Sequence, residues 1–270
     1  MIFLKLLKCI LDIILLQPYQ RLSNMITKMT KPPLLEMSVE LNFTSTDPDI
    51  LVVGMIEKEM SKDFEIINKI DGDTINIVKS DKDIAWVRMN YKEKKENIAC
   101  LITPNSFSLN WAKYDYEKDK FPGWNEHLKD IFIPILEKIG SLKNIDFKSV
   151  SYKSIDVFRN DKLFKNSNFS IKLNNNDLIT SDNNIPILSF QQLNGKVKNY
   201  ISISDSAAIV SGDEKYKFIG AILDIRSVIG VDDITGLSKA IDSCHIENKK
   251  IFSTILQKDF AKNALGAQYD

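Results

Sequence analysis

One pattern occurs twice along the chain. Three strand-like segments are followed by a long amphipathic helix, first over residues 83–139 and again over 185–258. Strict apolar–polar alternation marks a half-buried strand, and apolar residues spaced three and four apart mark one face of a helix. Strands that follow each other through short turns pair antiparallel, and a helix after them needs a sheet face to bury its stripe. The repeat therefore predicts an α+β fold. Antiparallel sheet is built from two similar strand-strand-strand-helix halves, with the long helices packed on one face. The matching organisation is an N-terminal extension over 1–28, a first half over 29–159, an Asn-rich connector over 160–184 and a second half over 185–270.

Individual elements follow from the same periodicities. In LEMSVELNF (35–43), Leu35, Met37, Val39, Leu41 and Phe43 share one side of a strand, and Glu36, Ser38, Glu40 and Asn42 the other. Lys31-Pro32-Pro33 is an extended lead-in, because proline fixes its own φ and biases its predecessor away from helix. Asp47-Pro48-Asp49 opens a helix over 49–62, and Pro104-Asn105 is a tight turn between strands at 97–103 and 106–111. A helix opens at Gly123-Trp124 and contains Pro134, which predicts a kink. Strands follow at 146–158, 185–193, 197–204 and 216–227, and a final helix runs from Asp232-Asp233 to about 258.

That last helix has the most regular spacing. Ile234, Leu237, Ile241, Cys244, Asn248, Ile251 and Ile255 form a heptad seam with one polar member. Such a seam can pack a partner helix, with Asn248 setting the register. The simpler alternative is that it packs on the protein's own sheet.

Charge and cysteine content narrow the function classes. Lys+Arg and Asp+Glu number 36 each, so the net charge is zero. A main partner made of nucleic acid is disfavoured, because each gripped phosphate needs a cation. The Lys92, Lys94 and Lys95 cluster is broken by Glu93 and Glu96 and reads as a solvated hairpin tip. Cys9, Cys100 and Cys244 contain no Cys-x-x-Cys pair, which argues against a cysteine zinc site and fits a reducing cytoplasm. Residues 2–16 are apolar but short for a membrane span and contain Lys5, Lys8 and Asp12. They read either as an amphipathic surface helix or as sequence ahead of a start at Met25 or Met29. A membrane enters only if residues 1–16 are native.

Chemistry-bearing groups are sparse. His127 and His245 lie on helices without a second ligand at metal spacing. Asp71-Gly72-Asp73 and Asp81-x-Asp83 are weak divalent-ion candidates, since no phosphate-cradling loop accompanies them. Asp224 and Arg226 share one face of their strand and read as a partly buried ion pair; Asp156 is a similar strand acid. Asp156, Asp224, Arg226 and His245 are thus the candidate polar cleft. Trp111, Tyr114, Tyr116 and Asn248 are the candidate partner-binding residues, with core packing as the alternative for the aromatics. No cofactor or metal is expected.

Several short motifs carry a resemblance. Pro32-Pro33-Leu34-Leu35-Glu36 precedes a strand, Leu109-Asn110-Trp111 precedes Trp124 and a helix, and a strand surrounds Tyr152. Leu223-Asp224-Ile225, His245 before Phe252, and Leu265-Gly266 complete the set. Together they resemble a sporadically distributed family of conserved hypothetical proteins of bacteria and archaea, over about residues 30–267. The chain departs from that family at Ser151 and Ser154, where Arg and Asn are usual, and at Arg226, where an acid is usual. The resemblance implies no established activity; patchy occurrence implies accessory or defence-type loci. The expectation is a non-catalytic, cytoplasmic protein-binding module, its partner another protein or a second copy through the C-terminal helix. The alternative is a metal-dependent hydrolase of nucleotides or nucleic acid using Asp224 and Asp156.

Overall fold

The structure is a computed structural model that describes residues 25–66, 87–91, 97–113, 119–159, 172–173, 176–177, 187–210 and 217–269. The apolar stretch 2–16, Asp71-Gly72-Asp73, Asp81-x-Asp83, the Lys92–Lys95 cluster, Tyr114, Tyr116 and most of the connector lie outside the described residues.

The first part of the chain forms β1 (Ile26–Lys28), β2 (Leu34–Ser45), α1 (Asp49–Met60), β3 (Phe64–Ile66), β4 (Val87–Tyr91), β5 (Ile98–Ile102) and β6 (Ser106–Ala112). A π-helical turn over Trp124–Leu128 leads into α2 (Lys129–Gly140). Then come β7 (Ile145–Arg159), the small pair β8 (Lys172–Leu173) and β9 (Asn176–Asp177), and the strands β10 (Ile187–Asn194), β11 (Val197–Val210) and β12 (Lys217–Gly230). The chain ends in α3 (Leu237–Ile255), α4 (Lys258–Leu265) and β13 (Gln268–Tyr269).

Nine strands join in one sheet, in the order β10-β11-β12-β7-β2-β6-β5-β4-β3, and each neighbouring pair is antiparallel. The fold is α+β, as the repeat predicts. Sheet order also shows what the repeat left out. β2 and β7 form the middle of the sheet, and each is flanked by the last strand of the meander that follows it in sequence. The first half is therefore the central strand β2, the helix α1, a four-strand meander β3-β4-β5-β6 and α2, and the second is the central strand β7, a three-strand meander β10-β11-β12 and α3, so β7 opens the second half.

Alternation decides which face the helices cover. Met37, Val39 and Leu41 of β2 lie opposite Trp111, Leu109 and Phe107 of β6 and opposite Ser154, Tyr152 and Val150 of β7. This face packs against the helices. α1 contributes Val52, Val53, Ile56 and Met60, and α2 contributes Phe132, Ile135, Leu136 and Ile139. Pro134 sits inside α2, as expected.

The heptad seam of α3 is buried on the protein's own sheet. Leu237, Ala240, Ile241 and Cys244 join a core cluster with α1 and α2, and Ile251, Phe252 and Ile255 join a second one with α4. Asn248 lies between the two. The seam thus follows the simpler of the two sequence readings, packing on the protein's own sheet.

β1 lies within the span read as extension. Ile26 is 1% exposed, its N–H donates to Ser253 Oγ at 3.1 Å, and it pairs with Tyr269 of β13. Gly266 closes α4 at φ +62°, a left-handed conformation that glycine adopts without strain, and lies against Thr30.

Candidate functional site

Two polar constellations lie on opposite faces of the central strands. On the helix side, strand alternation brings Tyr152, Ser154 and Asp156 of β7 beneath α3. Ser154 Oγ donates to Asn248 Oδ1 at 2.9 Å, and Asn248 Nδ2 donates to the Ile225 carbonyl at 2.8 Å. Asp156 is 4% exposed, and burial pushes its carboxyl up to about 7. The Ser154 hydroxyl and the Lys113 ammonium oppose that rise, while Asp224 adds to it. Burial in turn lowers Lys113, against the attraction of Asp156 and Asp119. The Ser154 hydroxyl has one proton and two flanking acceptors, Asn248 and Asp156. Protonated Asp156 can donate to Ser154, and every member of the relay is then satisfied.

Beside this relay, His245 packs on Tyr152 with ring centroids 5.0 Å apart and on Trp124 at 5.9 Å. Burial holds His245 down at about 4, with Lys249 contributing, so it is a neutral imidazole at physiological pH. Cys244 donates to the Val150 carbonyl at 3.9 Å, and burial pushes its thiol up to about 12. The imidazole is thus held neutral between two tilted aromatic rings and the thiol is held protonated, so Cys244 is not a thiolate nucleophile at neutral pH.

The opposite face holds Glu36, Ser38 and Glu40 of β2, Ser151 and Lys153 of β7, and Asp224 and Arg226 of β12. Arg226 Nη2 reaches Glu40 Oε2 at 2.7 Å, and its Nε donates to Ser151 Oγ at 3.2 Å. Lys153 Nζ lies 3.2 Å from Asp224 Oδ2. The pairing thus runs across strands, not along β12 between Asp224 and Arg226. Next to Arg226 stands Tyr200, partly exposed, with Lys198 Nζ 5.2 Å over its ring.

The residues expected to form one polar cleft are divided by the sheet. Asp156 pairs with Leu223 and Asp224 with Ile155, so the two acids point to opposite faces. Asp156 and His245 lie on the helix side, Asp224 and Arg226 on the other. Trp111 is 2% exposed and packs edge-on to Phe121 at 5.1 Å, so its ring belongs to the core. Asn248 is 4% exposed and spent on Ser154 and Ile225. Sequence reasoning missed Glu40, Lys153 and Ser151. The polar side of the 35–43 strand was the available signal for Glu40, but only the sheet order brings Arg226 to it.

Among the described residues no group of three or more His, Cys, Asp or Glu side chains is arranged to hold a metal ion, and no helix is long and apolar enough to cross a membrane. No protein-family model matches the chain, and no curated protein matches it.

Proposed function

We propose that the chain is a non-catalytic protein-binding module that meets its partner with the sheet face that no described helix covers, around Arg226, Glu40 and Tyr200. The observation that carries this reading is the cross-strand lattice on that face. Arg226 is held by both Glu40 and Ser151, and Ser151 is itself only 1% exposed. Side chains held in place before contact lose less entropy on binding, and Arg and Tyr are the residues most enriched at binding hot spots. Acids and bases alternate here, so the face fits a protein of mixed charge and lacks the positive surplus that a phosphate backbone needs. The buried thiols of Cys100 and Cys244 fit a cytoplasmic setting. The resemblance to a sporadically distributed family supports an accessory or defence-type locus.

The metal-dependent hydrolase is disfavoured because its two carboxylates stand on opposite sides of a sheet. The test is affinity purification from the native host with wild-type chain and with Arg226→Glu and Tyr200→Ala variants of unchanged melting temperature. A partner recovered stoichiometrically with wild type and lost from the variants supports the reading. Equal recovery with all three, or recovery of the chain alone, overturns it.

A further inference from the structure

We propose that the outer edge of β10 is a docking edge for a second copy of this chain, the two β10 strands pairing antiparallel to continue the sheet. This inference concerns the strand edge, not the sheet face, and stands independently of the binding function.

The two ends of the sheet are built differently. Among the described residues the β3 end is three residues long. Very short strands are one way proteins blunt a sheet edge. The β10 end is eight residues long, ILSFQQLN, with no charge and no proline. Its register with β11 is unbroken from Ile187↔Ser204 to Asn194↔Val197, so no bulge twists the edge away. Gly195, at φ +57°, begins the two-residue turn into β11. Among the described residues nothing pairs with the outer side of β10.

The apolar core runs out at the same place. Leu188 and Phe190 pack against the core cluster beneath α3 and α4 but remain only partly buried. A further strand beside β10 covers their open flank.

Charge chooses the occupant. In an antiparallel self-pair every residue faces its own strand's sequence, so a charge near the centre is opposed by its copy. β10 has none. Antiparallel pairing that keeps like faces together sets Leu188 and Phe190 of one copy beside those of the other on the helix side, and Ser189 and Gln191 on the opposite side. The two-fold contact is self-limiting, because the blunted β3 edges then form both ends of the joined sheet. An edge of this size is smaller than a standard interface, so the dimer is expected in the micromolar range.

The experiment is sedimentation velocity on the full-length chain and on the Ser189→Lys/Gln191→Lys double variant. Both substituted positions are exposed, so the fold is retained, which a melting curve verifies. The expected result is twice the chain mass for wild type at about 100 µM, and a monomer for the variant at the same concentration and melting temperature. Hydrogen exchange should show the outward-pointing β10 amides, those not bonded to β11, protected at high concentration and exchanging on dilution. Three results each overturn the proposal: a wild-type monomer at that concentration, a dimer that survives both lysines, or protection of those outward amides independent of dilution. The last means that a segment of the same chain covers the edge.

Discussion

Ser154 and Asn248 are 94 positions apart in sequence and joined by a 2.9 Å hydrogen bond in the interior. One lies on the central strand β7 and the other on α3, at the junction between the two core clusters. The bond fixes where α3 sits along the sheet, because an Asn in an otherwise apolar seam is satisfied at only one position.

Asn248→Ala should cost about 2–4 kcal/mol, because it leaves the Ser154 hydroxyl and the Ile225 carbonyl buried without their partner and opens a small cavity. Adding Ser154→Ala should cost less than the sum of the two single changes. Urea denaturation of the two single variants and the double variant measures this. Strict additivity would show that the bond contributes nothing.

The pH dependence has two opposed parts. Asp156 titrates at about 7 when folded, against an ordinary 3.8. The folded state therefore binds the extra proton, and stability falls as pH rises through that window. His245 titrates at about 4 when folded, against an ordinary 6.5, so its contribution is lost as pH falls through that window. Between about 4 and 6.5 the two slopes cancel. Asp156→Asn should unmask the histidine, giving stability that drops below pH 6.5, and should exceed wild type by about 1–3 kcal/mol at pH 8. Denaturation at pH 5, 6, 7 and 8 checks both, and a variant weaker than wild type at pH 8 contradicts the assignment.

Removing β1 should be costly. A chain beginning at Met29 loses the buried side chain of Ile26 and its bond to Ser253. Together these contribute about 3 kcal/mol, or roughly 6–12 °C in melting temperature for a chain of this size. A chain beginning at Met25 keeps both and should melt well above the Met29 version. Equal melting temperatures would mean that β1 adds no stability.

The ion pair of Arg226 and Glu40 should couple weakly. Both side chains are around a third exposed, at 38% and 27%. A double-mutant cycle to alanine should give about 0.5–1 kcal/mol, falling in high salt. A coupling unchanged by salt would mean that solvent does not screen the pair.

Ser227 and Asn199 are cross-strand neighbours on the helix side, both fully buried, and their side-chain polar atoms have no hydrogen-bond partner among the described residues. Ser227→Ala should therefore be neutral or stabilising by up to about 1 kcal/mol. A loss above that would show that a water or another group serves the hydroxyl.

The apolar periodicities of this chain determined its elements. The alternation of 35–43 and the three-four stepping of 234–255 each follow from local geometry, and the strands-then-helix repeat announced the α+β class. Alternation also fixed that Asp224 and Arg226 share a face. It could not relate Asp224 to Asp156, because that relation passes through the register between β12 and β7, and shifting a register by one residue turns every side chain to the other face. Likewise the heptad stripe of α3 is the same stripe whether it meets a partner helix or its own sheet. Only tertiary structure decided that β2 and β7 meet at the centre, that Arg226 therefore finds Glu40, 186 residues away, and that one edge of the sheet is blunt while the other is not. Those outcomes depend on long-range pairing, whose energy is shared among strands distant in sequence and is written in no single stretch of it.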